Sequence, residues 1–266
     1  MKRRDFFKYS AGVASIAGAF SLINHSNAQE QTSREFYELR KYQLRRGPMQ
    51  KLFDDYCREA AIPAMNRLGI NYVGVFFVTV GPDNPCAYVL IPYKSMNEFI
   101  TAHLKLYEDK EYQKAGAEFI NAPPTSPAYI RFESSLMLAF EGMSKLEVPS
   151  LAKEKKSRIF ELRIYESHSM KAHLKKVEMF NTGEIELFRR TGLQPVFFGQ
   201  TLVGGKLPNL TYMLVFENMA ARDKNWGVFA SDPDWKKMSS TPGFTDPEIV
   251  TNITNIFLRP APYSQI

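Results

Sequence analysis

Cysteine is nearly absent from this chain of 266 residues, which has only Cys57 and Cys86, and tryptophan is equally scarce. No Cys-x-x-Cys pair and no Cys/His cluster occurs, so no zinc or other metal ligand set is expected. No Gly-x-Gly-x-x-Gly opens a helix, no phosphate-binding loop is present, and there is no Gly-x-Ser-x-Gly elbow. Dinucleotide, nucleotide and serine-hydrolase chemistries lack their usual carriers. A dense basic run is missing too. The formal charge is +6, but Lys2, Arg3, Arg4 and Lys8 against Asp5 supply half of it. The remaining basic residues are scattered, which excludes a phosphate-tracking stripe and, with it, a nucleic-acid partner.

What is present suits a globular protein. Hydrophobic residues make up 44% and charged residues 23%, enough to build a sizeable core without disulfide or metal support.

Residues 1–28 read as an export leader. Met1 to Lys8 is a charged region with adjacent Arg3 and Arg4 followed by Phe6, Phe7 and Lys8. Tyr9 to Ile23 is mildly apolar, diluted by glycine and serine, and too short for an ordinary membrane-spanning helix. Ser26-Asn27-Ala28 offers small residues where a signal peptidase reads, so cleavage after Ala28 is expected. The segment resembles a bacterial twin-arginine leader, Arg-Arg-x-Phe-apolar-Lys. That resemblance implies the twin-arginine export machinery as a partner, a periplasmic or otherwise exported location, and no membrane attachment after cleavage; an uncleaved anchor is the alternative. In an oxidising compartment Cys57 and Cys86 are read as two buried unpaired thiols, with a disulfide as the other option.

The mature chain repeats itself at a constant offset. Phe36-Tyr37-Glu38-Leu39-Arg40-Lys41-Tyr42 returns as Ile159-Phe160-Glu161-Leu162-Arg163-Ile164-Tyr165. The same offset takes Arg67 to Arg190, Gly69 to Gly192 and Asp109 to Asp232. Each copy alternates apolar and polar residues where a strand is expected and shows helical stripes elsewhere. The order is strand, helix, strand, strand, helix, strand. This predicts an α+β fold, two tandem ferredoxin-like βαββαβ domains forming a pseudo-dimeric α/β barrel. Residues 35–140 are the first copy, 141–157 a linker and 158–264 the second. Phe99, Ile100, His103, Leu104 and Tyr107 are expected on the inner face of one helix. His173, in step with Met170, Leu174 and Val177, is expected to face its sheet.

Each sheet then has one face without helices, and the two such faces are expected to meet. Glu38, Arg40 and Tyr42, with Glu161, Arg163 and Tyr165, are placed there. Two readings follow: an inter-domain ion-pair network, or a polar cavity at the pseudo-dimer centre that binds an anionic ligand through Arg40 and Arg163. His103 and His173 are the histidines to weigh for chemistry, either as hydrogen-bonded core residues or as haem ligands or bases.

Tyr37-Glu38-Leu39-Arg40-x-Tyr42 and Phe160-Glu161-Leu162-Arg163-x-Tyr165 resemble the opening strand of NIPSNAP-family domains. Ala221-Arg222-Asp223 and Asp232-x-Asp-Trp235 are similar to that family's second helix. The first copy departs from the pattern, with Lys110 and Tyr112 in place of proline and tryptophan. The resemblance implies the dimeric α/β-barrel fold, whose members include small monooxygenases, haem-handling enzymes and ligand-binding proteins. Two functions are therefore carried forward. One is an exported binding or accessory protein for a small anionic or apolar ligand; the other is a small-molecule enzyme, monooxygenase-like or haem-handling. Assembly into a homo-oligomer is left open.

Overall fold

The computed structural model describes residues 33–79 and 83–266. The expected leader, with Arg3, Arg4 and the position after Ala28, lies outside the described residues. So does part of the loop at 81–85. Among the described residues, no helix is long and apolar enough to cross a membrane.

The first copy contributes β1 (Phe36–Gln43), α1 (Pro48–Asp55), a π-helical turn (Tyr56–Ala61), α2 (Ile62–Arg67), β2 (Gly74–Val78) and β3 (Cys86–Tyr93). It continues with α3 (Met96–Glu108), α4 (Lys110–Ala115), α5 (Ala117–Ile120) and β4 (Arg131–Ala139). A short helix, α6 (Ser150–Lys153), marks the linker. The second copy follows with β5 (Ile159–Glu166), α7 (Met170–Met179), another π-helical turn (Phe180–Glu184), α8 (Ile185–Arg190), β6 (Gln194–Val203) and β7 (Asn209–Phe216). It ends with α9 (Met219–Ser231), α10 (Pro233–Ser239), α11 (Asp246–Ile249) and β8 (Asn252–Pro260).

The residues that recur in the sequence recur for structural reasons. Gly69 and Gly192 follow α2 and α8 with φ of 81° and 85°, the left-handed cap that glycine adopts without steric cost. Asp109 and Asp232 cap α4 and α10, each accepting two backbone N–H groups. Arg67 and Arg190 clamp those same aspartates at 2.6 and 2.8 Å. Pro63 sits at the start of α2 just past a π-helical turn, where its missing N–H is tolerated.

The eight strands close into one barrel in the order β1-β3-β2-β8-β5-β7-β6-β4, the fold expected from the repeat. Every neighbouring pair is antiparallel. β1 and β5, four steps apart, therefore run in the same direction, and the pseudo-twofold axis lies along the barrel. Two seams join the copies: Val78 opposite Leu258, and Ala139 opposite Gly199. At the second seam a Cβ on residue 199 would come within 2.9 Å of the Met137 Cβ, so glycine permits the close approach.

The barrel interior is one apolar cluster drawn from both copies, including Tyr37, Leu39, Phe76, Phe160, Leu162, Phe197 and Met213. Burying each large side chain contributes roughly 1.5–3 kcal/mol. Leu146 and Leu151 of the linker pack against this cluster, and the C-terminal Ile266 belongs to it. They close the barrel end at which β1 and β5 begin. Separate clusters lie between each sheet and its helices, one centred on Phe53 and Tyr56, the other on Phe180 and Phe188.

Candidate functional site

Glu38 and Arg40 lie on the helix side of their sheet, not on the face shared between the copies. So do Glu161 and Arg163, and Tyr42 and Tyr165 lead into the helix-side clusters. The expectation that these residues meet across the two copies, as an inter-domain network or around a central anion site, is corrected. Alternation along the strand told which residues share a face but not which face the helices cover. The barrel interior takes Tyr37, Leu39, Phe160 and Leu162 instead, because it has too few partners for four charges.

Each glutamate is instead satisfied within its own copy. Glu38 accepts two hydrogen bonds from Arg40 at 2.7 and 2.8 Å, one from the Tyr93 hydroxyl and one from Ser134. Burial alone would raise its carboxyl, but Arg40, Ser134 and Tyr93 outweigh that and hold it below the ordinary value. Glu161 accepts from Arg163 at 2.9 Å, from Arg222 at 2.8 and 3.1 Å, and from the Trp226 indole at 2.8 Å. Its carboxyl is likewise lowered against burial, by Arg222, Trp226 and Arg163. Arg163 also donates to the Tyr165 hydroxyl and lies over Trp226. Both carboxylates are satisfied by protein groups, while the buried Arg163 Nε has no partner among the described residues.

The histidines separate. His173 is 1% exposed, its Nδ1 has no partner, and burial pushes its pKa down. It faces inward as expected and Val177 packs against the helix-side cluster, but Met170 and Leu174 are exposed, and Ala172, Lys176 and Met179 are buried with it. His103 is exposed, and burial of part of its ring, then Arg40 nearby, lowers its pKa. Ile100, Leu104 and Tyr107 point outward rather than inward, while Ala102 and Leu106 are the buried residues of α3. That helix carries two apolar stripes, and the sequence does not rank them. Haem needs an open slot beside its axial ligand. His173 is packed shut, and neither histidine lines the cavity described below, so the residues present do not fit haem. Among the described residues, no cluster of three or more His, Cys, Asp or Glu could hold a metal ion.

A buried ion pair that the sequence did not announce lies beneath α7. Lys176 and Glu184 meet at 3.0 Å with both side chains almost wholly buried. The ammonium stands over the rings of Phe180, Trp235 and Tyr165 at 5.0–5.6 Å. Burial raises the Glu184 carboxyl more than Lys176 lowers it.

An open space occurs at the barrel end away from the linker, where β1 and β5 finish. It has a volume of about 330 Å³, within the range of small-molecule sites. Leu39, Val78, Ile164 and Ile256 give it apolar walls, and Cys86, Tyr88, Ser135, Thr201, Asn209 and Thr211 add polar ones. Lys41, Asp83, Glu133 and Lys206 also line it. These side chains come from both copies and lie about the pseudo-twofold axis. Gly204 shapes its edge: φ is +152°, and a Cβ there would come within 2.5 Å of the Ser135 Oγ. Cys86 and Cys57 are both free and lie in different clusters. Burial pushes the Cys86 thiol up to about 11, so it stays protonated and is a weak nucleophile.

A polar cavity at the pseudo-dimer centre is one of the two readings of the sequence, but that reading assigns it to Arg40 and Arg163, which do not line this space. The residues that do line it are missed, although a signal for them exists. Inward positions are apolar along most of each strand and turn polar toward one end, as in Leu39 to Lys41, Met137 to Ser135 to Glu133, and Met213 to Thr211 to Asn209.

The NIPSNAP family model matches residues 37–123 and 160–265. No curated protein matches. Among solved structures, the chain is similar to a provisionally named monooxygenase from Lactobacillus acidophilus NCFM, at 8% identity and a TM-score of 0.58, covering 85% of this chain and 94% of that one. A second provisionally named monooxygenase, from Fusobacterium nucleatum, shares 8% identity at a TM-score of 0.55, covering 86% and 93%. A NIPSNAP-like domain protein from Burkholderia xenovorans is 18% identical with a TM-score of 0.35, covering 39% of this chain and 85% of its own. At these identities the first two speak for the fold alone.

Proposed function

This chain belongs to the NIPSNAP family, and we propose that it is an exported small-ligand-binding protein whose site is the open mouth of the shared barrel. The observation that carries the reading is the cavity of about 330 Å³ there, apolar within and polar toward the rim. The Glu38 and Glu161 clusters are the weaker candidates, because both carboxylates already take their hydrogen bonds from protein groups. Export rests on Arg3, Arg4, Phe6 and Lys8 ahead of a weakly apolar stretch.

Two measurements test this. Native mass spectrometry of protein recovered from its own compartment is expected to show a small bound molecule. A Thr211→Trp variant, which fills the mouth, should lose it while melting normally; the same added mass in both forms would overturn the site. Replacing Arg3 and Arg4 together by lysine should leave the protein in the cytoplasm, and unchanged fractionation would overturn the leader assignment.

A further inference from the structure

We infer that the barrel mouth selects compact, net-neutral, amphipathic molecules bearing a hydroxyl, and that it holds them by the wall belonging to the first copy. This rests on the mouth being the ligand site. The two walls are related by the pseudo-twofold axis but differ in what they offer. On the second copy's wall the polar groups are used up by one another. Asn209 accepts from Thr201 at 2.7 Å and from Thr211 at 3.3 Å, and its amide donates to the Gly205 and Lys206 carbonyls. Lys206 donates to Thr254 at 2.7 Å.

In the first copy, Cys86 and Tyr88 occupy the places of Asn209 and Thr211. Tyr88 is 7% exposed and lines the cavity, yet among the described residues its hydroxyl has no hydrogen-bond partner. Its phenol stays protonated, since burial raises its pKa. The hydroxyl is not sealed in with the buried, unpartnered polar atoms; it opens onto the cavity, where it is free to bond a ligand oxygen. Glu133, on the same wall, has Arg131 at 3.8 Å as its one charged partner among the described residues and can accept from a ligand hydroxyl.

Charge decides the class. Lys41 is paired with Asp83 at 3.1 Å, and Lys206 is engaged with Thr254 and Glu166. Among the described lining residues both lysines are already engaged, so an anion would have to share one of them with a carboxylate or a hydroxyl. With Glu133 and Asp83 balancing the two lysines, a cation gains little net attraction and gives up its hydration among Leu39, Val78 and Ile164. A neutral hydroxyl gives Tyr88 its partner and leaves the apolar remainder against those three side chains.

The test uses three probes of one shape: p-cresol, 4-methylbenzoate and 4-methylbenzylamine. Each is titrated by calorimetry into the mature protein and into its Tyr88→Phe and Thr211→Trp variants, with melting curves as the check on folding. p-Cresol should bind most tightly, weaken about three- to tenfold in Tyr88→Phe, and be lost in Thr211→Trp. Tighter binding of either charged probe, abolished by Thr211→Trp, would overturn the neutral class and leave the mouth as the site. Binding of p-cresol that neither variant changes would overturn the mouth as well. No binding by any of the three overturns the inference.

Discussion

Beneath its first helix the second copy buries Lys176 and Glu184, and at the same places the first copy has Phe53 and Ala61. One duplicated frame thus accepts an ion pair in one half and hydrocarbon in the other. The pair is not a requirement of the fold. The glutamates of the opening strands teach the complementary lesson. Glu38 and Glu161 are both kept, yet their partners differ: Tyr93 and Ser134 in the first copy, Arg222 and Trp226 in the second. The frame demands a satisfied carboxylate there and is indifferent to which donors supply it.

The sharpest way to break this comparison is to cross the copies. Lys176→Met alone should destabilise by about 3–5 kcal/mol, because it leaves Glu184 buried without its cation. The double variant Lys176→Phe with Glu184→Ala, which installs the first copy's residues, should recover most of that loss in urea unfolding. A double variant as unstable as the single one would mean that the halves pack too differently for exchange.

A smaller effect is expected from acid. Glu38 and Glu161 have lowered folded-state pKa values, so their contribution is present above the ordinary carboxylate value of 4.5 and lost as pH falls through the lowered folded values. Melting temperatures should therefore hold at neutral pH and fall once pH drops below that value. Glu38→Gln should flatten the fall, and an unaltered acid limb would remove this cluster as its cause.

The smallest effect concerns the outer stripe of α3. Ile100, Leu104 and Tyr107 are exposed, and the second copy has Asp223, Gly227 and Ala230 at the same places. Ile100→Asp with Tyr107→Ala should change stability by less than about 0.5 kcal/mol. A larger loss would show that the stripe is covered in solution.

Much of the architecture was legible from residues. The repeated Glu-Leu-Arg-x-Tyr strand, the two glycines after helices and the paired Arg and Asp positions each recur because a cap or clamp needs that residue type. The site was less legible. Arg40 and Arg163 share a register position but not a pocket, and nothing in the sequence around Lys176 sets it apart from a surface lysine. Cys86, Tyr88 and Thr211 carry no motif at all.

By itself, then, the sequence determined the duplication, the element order and hence the pseudo-dimeric barrel, because period, turns and caps are local properties of the chain. Only the tertiary structure decided which face of each sheet the helices cover. It also decided which apolar stripe of α3 is buried, and which residues line the open space between the copies. These depend on what stands across the gap: a strand's alternation separates two faces, and only the partner packed against each gives it an inside.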